Sequence, residues 1–548
     1  MTLARTHSVA LVGVQGHIVQ VEADIANGLV GMILVGLPDT ALREARDRIR
    51  SAIINSGEQW PQRRITVGLS PASLPKRGSG FDLPIAVAVL AAAGVLKAAA
   101  VAGVMFLGEL GLDGQLRPVR GVLPAVVAAA SAGFGRVVVA RGNAEEAALV
   151  PGLRVLSAPD LAALLAWMRG DLPCGPAVRE SLGDDGTAGD AEGGPATVQE
   201  LTGGTVTSLP RTVTAAAGPE GGTEPHGAAP DLSDVLGQPV ARRAAEICAA
   251  GGHHLSLLGP PGAGKTMLAE RLPRILPPLD TDEALEVTSI HSVAGQLSAA
   301  RPLMTDPPFC GPHHTATKAA IVGGGSGIIH PGAASLAHRG VLFLDEAPEF
   351  GRDVLDALRQ PLESGEVVIA RSGITARFPA RFTLVLAANP CPCAKAAASP
   401  RSMCSCSPAT KRRYLGRLSG PLLDRVDVKV ELLPVGRAEL LSDRKFTETS
   451  AVVAARVEQA RKRAAHRLAG TPWRLNAEVP GSELRRTYAP RRDALKPLER
   501  AMELGEISAR GVDKVVRVSW TLADLAGKDR PALDECGYAL SLWLGVVR

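Results

Sequence analysis

Leu257-Leu258 run directly into Gly259-Pro260-Pro261-Gly262-Ala263-Gly264-Lys265-Thr266, and a helix-forming run, Met267 to Leu272, follows at once. A short apolar strand, a glycine-rich turn and a helix opened by Lys-Thr leave few folds available. In such a turn successive backbone N–H groups converge on one spot, and glycines stand where a Cβ would block an approaching phosphate. The lysine reaches the β/γ oxygens and the threonine hydroxyl ligates Mg²⁺. Residues Gly259, Pro260, Pro261, Gly262, Ala263, Gly264, Lys265 and Thr266 therefore imply an ATP-binding loop in an α/β core.

Downstream, Val341-Leu342-Phe343-Leu344 reads as a buried strand ending in Asp345-Glu346. Two adjacent acids at a strand end can divide the work, Asp345 holding Mg²⁺ with Thr266 and Glu346 polarising the attacking water. That arrangement implies hydrolysis as well as binding. A third apolar strand, Thr383 to Ala388, ends in Asn389, which can orient the same water. Alone, an Asn after a strand is ordinarily a turn residue; its meaning here comes from the order loop, acids, Asn.

The chain's 548 residues suffice for about three domains with cores that need no disulfides. No charged head, long apolar segment and cleavage site stand at the start, and the most apolar run, Leu83 to Leu96, falls short of the ~20 residues that span a bilayer. The expectation is a cytoplasmic protein without a membrane partner. Its net charge of +5 is unevenly spread, because residues 401–548 carry 28 Lys+Arg against 18 Asp+Glu. Such a segment suits nucleic-acid phosphates or, equally, solvated helix faces.

Residues 171–230 lack Phe, Trp and Tyr and are crowded with Gly, Ala, Pro, Thr and acids, which reads as a linker. It separates an N-terminal α+β domain (1–170) from a core (231–433), followed by periodic helices (434–548). In the first domain Gly78-Ser79-Gly80-Phe81-Asp82 reads as a structural turn in which Asp82 caps a buried helix. Near the other end, Arg510 precedes the apolar-periodic run Val512 to Leu525, so it sits at a helix start, either facing the γ-phosphate or solvated at the surface.

Four of eight cysteines cluster as Cys391-Pro392-Cys393 and Cys404-Ser405-Cys406, directly after Asn389. Four thiolates can complete a tetrahedral Zn²⁺ shell, although one-residue spacing is less usual than two. Reduced free thiols are the second reading and disulfides the third. Cys174, Cys248, Cys310 and Cys536 are scattered and read as inert.

Asp231 to Gln238, the phosphate loop, Pro312-His313-His314-Thr315, Gly323-Gly324-Gly325, Ser335-Leu336-Ala337-His338, Arg359 to Glu363 and Ser419-Gly420-Pro421-Leu422-Leu423-Asp424-Arg425 follow one another in an order that resembles the YifB/ComM family of magnesium-chelatase-like AAA+ ATPases. The likeness extends through Val35-Gly36-Leu37-Pro38-Asp39 and Gly80 to Ile85 at one end, and through Ser508-Ala509-Arg510 and Ala523-Asp524-Leu525 at the other. The resemblance implies a multidomain α/β protein: a Lon-protease/ribosomal S5-like α+β domain, a P-loop AAA+ core with a helix-2 insert, and a C-terminal helical lid. It also implies a homo-hexameric ring in which Arg425 serves the neighbouring subunit's site as an arginine finger; an ion pair of Arg425 with Asp424 or Asp427 is the alternative. In related rings, loops such as the glycine run and the Arg371, Arg377 and Arg381 segment face the pore, where they would grip a nucleic-acid strand or else cover a sheet edge.

Several positions depart from the family pattern: Trp520 and Cys310 where Arg is common, Ala394 where Gly is common, Ala333 for Glu and Gly68 for Asn. Three functions follow from the resemblance. The first is a helicase or branch-migration motor of the ComM type on branched or single-stranded DNA, working with recombination proteins or in natural transformation. The second is a chelatase-like ATPase that remodels a protein partner. The third, an ATP-dependent protease, would require Ser79 and Lys76 to act as nucleophile and base.

Overall fold

Alternating apolar residues along Leu3–Val12 (β1) and Gln15–Ala26 (β2) make a long antiparallel hairpin that turns at Gly13, φ +66°. The computed structural model describes residues 3–36, 39–172, 175–176, 197–203, 230–298, 301–325, 329–371, 374–394, 404–436, 442–443 and 447–547. Leu37 and Pro38, Cys174 and most of the expected linker lie outside the described residues.

Around the hairpin the sheet grows in both directions. On one side β2 pairs with Arg64–Ser70 (β4), which runs parallel to Gly31–Val35 (β3). On the other, β1 is followed by parallel Val104–Leu107 (β5), Arg136–Ala140 (β8) and Arg154–Ala158 (β9). Glu109–Leu110 (β6) and Leu116–Arg117 (β7) form a separate short hairpin. Along β5 the side chains alternate between faces: Val104 and Phe106 join the core under the helix Asp82–Ala92, whereas Met105 and Leu107 join that under Val122–Ser131. Every residue of Asp82–Ala92 is buried, which explains its unbroken apolar sequence.

Two expectations need correction here. Gln199–Thr202 (β11), inside the segment read as linker, pairs antiparallel with β9, with Gly175–Pro176 (β10) beside it. Buried Val198 anchors the strand, an amount of apolar surface too small to register in the composition of 60 residues. Asp82 is no cap: fully buried, it accepts from Arg48 Nε (2.9 Å) and Nη2 (3.2 Å), and burial pushes its carboxyl up to about 6 despite that ion pair.

The second sheet is wholly parallel, in the order Phe309–Cys310 (β13), Val341–Leu344 (β14), Thr383–Ala388 (β17), Leu255–Leu258 (β12) and Val428–Glu431 (β18). Strands β14 and β17 are buried throughout, as sheets covered on both faces require. Glu366–Arg371 (β15) and Ile374–Pro379 (β16) form an antiparallel hairpin whose tip, residues 372–373, lies outside the described residues.

That hairpin packs on the N-terminal β-turn: Leu11, Val12 and Val14 meet Phe378 and Ile369, and a Cβ on Gly13 would stand 2.5 Å from the Arg377 carbonyl. A second joint lies at the helix Thr281–Ala294, where Gly121 N donates to the Ser292 carbonyl (3.2 Å) and the Ser292 hydroxyl donates to Glu146. C-terminally, the helices Ser450–Arg467, Ala509–Ala526 and Leu533–Leu544 share one apolar core with the second sheet, Val457, Val515 and Leu542 packing with Leu255 and Val430. The whole is a mixed α/β multidomain chain, and none of its described helices is long and apolar enough to cross a membrane.

Candidate active site

Strand β12 delivers the phosphate loop, the adjacent central strand β17 delivers Asn389, and β14 on the far side of β17 delivers Asp345-Glu346, all to the same end of the sheet. Their placement follows from parallel pairing, because residues at the C-terminal ends of adjacent parallel strands lie side by side. Lys265 opens the helix Lys265–Ile275 and is buried. Its ammonium donates to Gly259 O (2.6 Å), Pro260 O (3.0 Å) and Asn389 Oδ1 (3.0 Å). Burial lowers its pKa, against the attraction of Asp345 and Glu346, which raises it. Gly262 (φ +76°) and Gly264 (φ +90°) have open space where a Cβ would stand. These residues fit a triphosphate: a cation anchored by neutral oxygens faces an open cradle.

Thr266 Oγ1 donates to Asp345 Oδ2 at 2.8 Å, which brings together the hydroxyl and carboxylate that would hold Mg²⁺. Asp345 Oδ1 accepts from the Glu346 backbone N–H at 2.8 Å. Glu346 itself has φ +49°, a left-handed conformation uncommon outside glycine and concentrated at functional sites. Its carboxylate stands 3.3 Å from His314 Nδ1, and the His314 ring lies 4.1 Å from that of His313. His313-His314 stands in one of the runs that carry the family resemblance, and nothing in its spacing marks this contact with Glu346. The signal was its polarity in a segment of little other side-chain chemistry.

Arg425 belongs to another constellation. It pairs with Glu363, neither Asp424 nor Asp427, and its backbone carbonyl accepts from Lys514 Nζ at 2.9 Å. Burial and the neighbouring charges of Arg510 and Arg359 push its guanidinium down. Arg359 is held by Asp356 (2.6 Å) and Ser419 (3.1 Å). Arg510 lies in the first turn of Ala509–Ala526, as its position before the apolar run implies. Its charge acts on Arg425, whereas the charges acting on Lys265 are those of Asp345 and Glu346. Arg359 and Arg510 thus lie close enough for their charges to act on Arg425, whose carboxylate partner, Glu363, is largely exposed.

Trp520, where the family pattern prefers Arg, is buried: its indole donates to Tyr488 O (2.8 Å) and the Arg467 guanidinium lies 4.2 Å over its ring. It packs the helical core. The expected loops are likewise engaged. Arg371 donates to Gly325 O (2.8 Å), Arg377 pairs with Glu366 (2.6 Å), and a Cβ on Gly323 would stand 2.7 Å from His330 O. Glycine there serves the close approach of the His330 backbone and of Ile369 on the hairpin. Ser79 and Lys76 have separate partners, Ser79 donating to Glu109 and Lys76 to Pro71 O, so neither activates the other.

Beneath Arg425, buried Asp427 accepts from Lys514 Nζ (2.7 Å) and His254 N (2.9 Å), while His253 Nε2 stands 2.7 Å from Thr521 Oγ1. Burial holds His253 and His254 down at about 4, with Asp427 opposing the shift. Both rings are neutral in the fold, and the unfolded chain protonates near pH 6.5. Stability is therefore full above that pH and falls as pH drops toward about 4, by about 3 kcal/mol per histidine. Urea midpoints should decline from about pH 7 to pH 5, less so in His253→Gln; a flat profile would show that these rings are not neutral and buried.

Three descriptions of magnesium chelatase subunit ChlI match the chain: the ChlI subunit model over residues 21–143, the main model over 231–440 and the C-terminal model over 447–542. Among curated proteins, an uncharacterised protein of Mycobacterium tuberculosis is 50% identical over 541 residues, covering 99% of this chain and 98% of that one. Competence protein ComM of Haemophilus influenzae is 40% identical over 533 residues, 97% of this chain and 95% of its own. The Escherichia coli protein YifB, uncharacterised, is 39% identical over 530 residues, 96% and 94%. Fold, phosphate loop and matches define an AAA+-like ATPase of the magnesium-chelatase type. Within that class the chain belongs to the YifB/ComM family.

Proposed function

We propose that the protein is an ATP-hydrolysing, ring-forming motor that moves DNA strands, a helicase or branch-migration factor serving recombination or natural transformation. The observation that carries this reading is the division of the site into two constellations. Lys265, Thr266, Asp345, Glu346 and Asn389 converge on one sheet edge, while Arg425, paired with Glu363, lies apart within the fields of Arg510 and Arg359. A cationic group set apart from the phosphate loop suits delivery to a neighbouring subunit's γ-phosphate, as a homo-hexamer requires. Glu363 would hold Arg425 until assembly offers a stronger anionic partner.

In the assembled site Lys265 binds the β/γ oxygens and Asn389, now sharing Lys265 with the phosphates, orients water. Glu346 accepts that water's proton, with His314 beside it to fix the carboxylate. Thr266 and Asp345 would hold Mg²⁺, which would neutralise phosphate charge. The relative named as a competence protein and the basic 401–548 segment support DNA as the substrate, in the cytoplasm. Remodelling of a protein partner is the second reading, favoured by the chelatase-subunit descriptions of all three matching models. Strand exchange on a four-way DNA junction, dependent on ATP and on Lys265, separates the two.

A further inference from the structure

The strand end that carries Asn389 continues directly into Cys391 and Cys393, and Cys404 and Cys406 lie against them. All four sulfurs lie within 4.8 Å of one another. Cys391 Sγ stands 3.1 Å from that of Cys393 and 3.3 Å from that of Cys404, and Cys393 stands 3.5 Å from Cys404. A tetrahedral Zn²⁺ with Zn–S bonds of about 2.3 Å spaces its ligands about 3.8 Å apart. These three separations would widen by about 0.3 to 0.7 Å to admit the ion.

The surrounding backbone is shaped for thiolates. The Cys406 N–H points at Cys404 Sγ (3.4 Å), the kind of donor that supports a ligating sulfur. Ala394 closes the first Cys-x-Cys turn with φ +48° and donates its N–H to Cys391 O at 3.2 Å. An alanine held there, where glycine is the easier residue, implies a constraint stronger than weak S–H contacts supply. Cys248, Cys310 and Cys536 stand outside the cluster.

We propose that Cys391, Cys393, Cys404 and Cys406 form a tetrathiolate Zn²⁺ site that clasps the Asn389 strand end to the segment leading to Arg425. Four thiols and one Zn²⁺ give the tetrathiolate and four released protons; no electron is transferred. Four sulfur ligands in tetrahedral array select zinc over the harder cations, and the closed shell leaves no open position for catalysis. The clasp completes a ring of contacts. Ser407, next to Cys406, caps the helix Pro408–Leu415, accepting from Thr410 N (3.2 Å). From that helix the buried Tyr414 side chain lies beside the Asn389 backbone. Arg417 then reaches Glu349 (2.7 Å) and Pro348 O (3.2 Å), just beyond Glu346. The metal would be a positioning element for Asn389, acting through backbone geometry.

The test uses full-length protein purified under reducing, anaerobic conditions. Elemental analysis should find about one zinc per chain, and exchange into Co²⁺ should give the visible bands of a tetrahedral thiolate site. Cys404→Ser/Cys406→Ser should lose the metal. Zinc-depleted wild-type protein, refilled or left empty in excess Mg²⁺, covers the case in which that variant misfolds. The empty form should bind a non-hydrolysable ATP analogue with unchanged affinity yet turn ATP over about tenfold more slowly, with recovery on adding Zn²⁺. Iron at that stoichiometry, a disulfide, or four freely titrating thiols after Zn²⁺ addition overturns the site. Zinc bound without effect on turnover overturns the clasp. The metal count stands independently of the proposed function, whereas the turnover arm rests on it: a zinc-loaded protein that hydrolyses no ATP would contradict that function and leave the site intact.

Discussion

Glu346→Gln should bind ATP as the parent does while hydrolysing it on the order of 100-fold more slowly, whereas Lys265→Ala should fail to bind. The two substitutions break different parts of one site. Lys265 is a buried cation satisfied by Gly259, Pro260 and Asn389, so its removal deletes the ammonium of the cradle and leaves those oxygens facing incoming phosphates. The partial negative charge of these carbonyl oxygens then opposes the anionic phosphates. Glutamine at 346 keeps the side-chain shape and a hydrogen bond to His314, but its amide cannot take a proton from water. Binding and assembly therefore persist without turnover, and a ring trapped with nucleotide should accumulate. Equilibrium binding of a fluorescent ATP analogue, measured beside steady-state phosphate release, reads both. Equal turnover in Glu346→Gln and parent would remove Glu346 from its role.

Arg425→Ala should lower turnover on the order of 1000-fold without impairing nucleotide binding. Its guanidinium lies with Arg359 and Arg510, paired with Glu363, and its backbone is pinned by Lys514. Such a residue costs little to detach from a largely exposed carboxylate, and it gains more from a transferring phosphoryl group in a closed interface. If it acts across that interface, mixing Arg425→Ala with Lys265→Ala subunits restores part of the lost hydrolysis. Each hybrid interface that joins an intact phosphate loop to an intact arginine is then competent. An assembled mixture that stays inactive would place Arg425 in its own subunit's site.

How much of this was legible in the sequence depended on whether the chemistry was local. The phosphate loop is one contiguous turn, and β14 and β17 are buried on both faces, so their apolar runs and terminal Asp345, Glu346 and Asn389 could be read directly. Glu363 and Arg425, or Glu346 and His314, meet only through tertiary packing, and no period in the sequence marks them. Alternatives offered for Arg425 were therefore sequence neighbours, Asp424 and Asp427, and Asp427 turned out to serve Lys514 and His254. Composition likewise hid β11, because one buried Val198 and four paired backbone residues cannot outweigh the glycine and alanine around them. Trp520 stood out only as a departure from the family's usual Arg; stacked under Arg467, it is a packing residue.

The most direct measurement is strand exchange by the purified protein on a labelled four-way DNA junction with ATP and Mg²⁺, run beside Lys265→Ala. The account predicts conversion to duplex products that requires ATP and is lost in the variant. A junction left intact by a protein whose ATP turnover is also indifferent to DNA would contradict it and direct attention to a protein substrate.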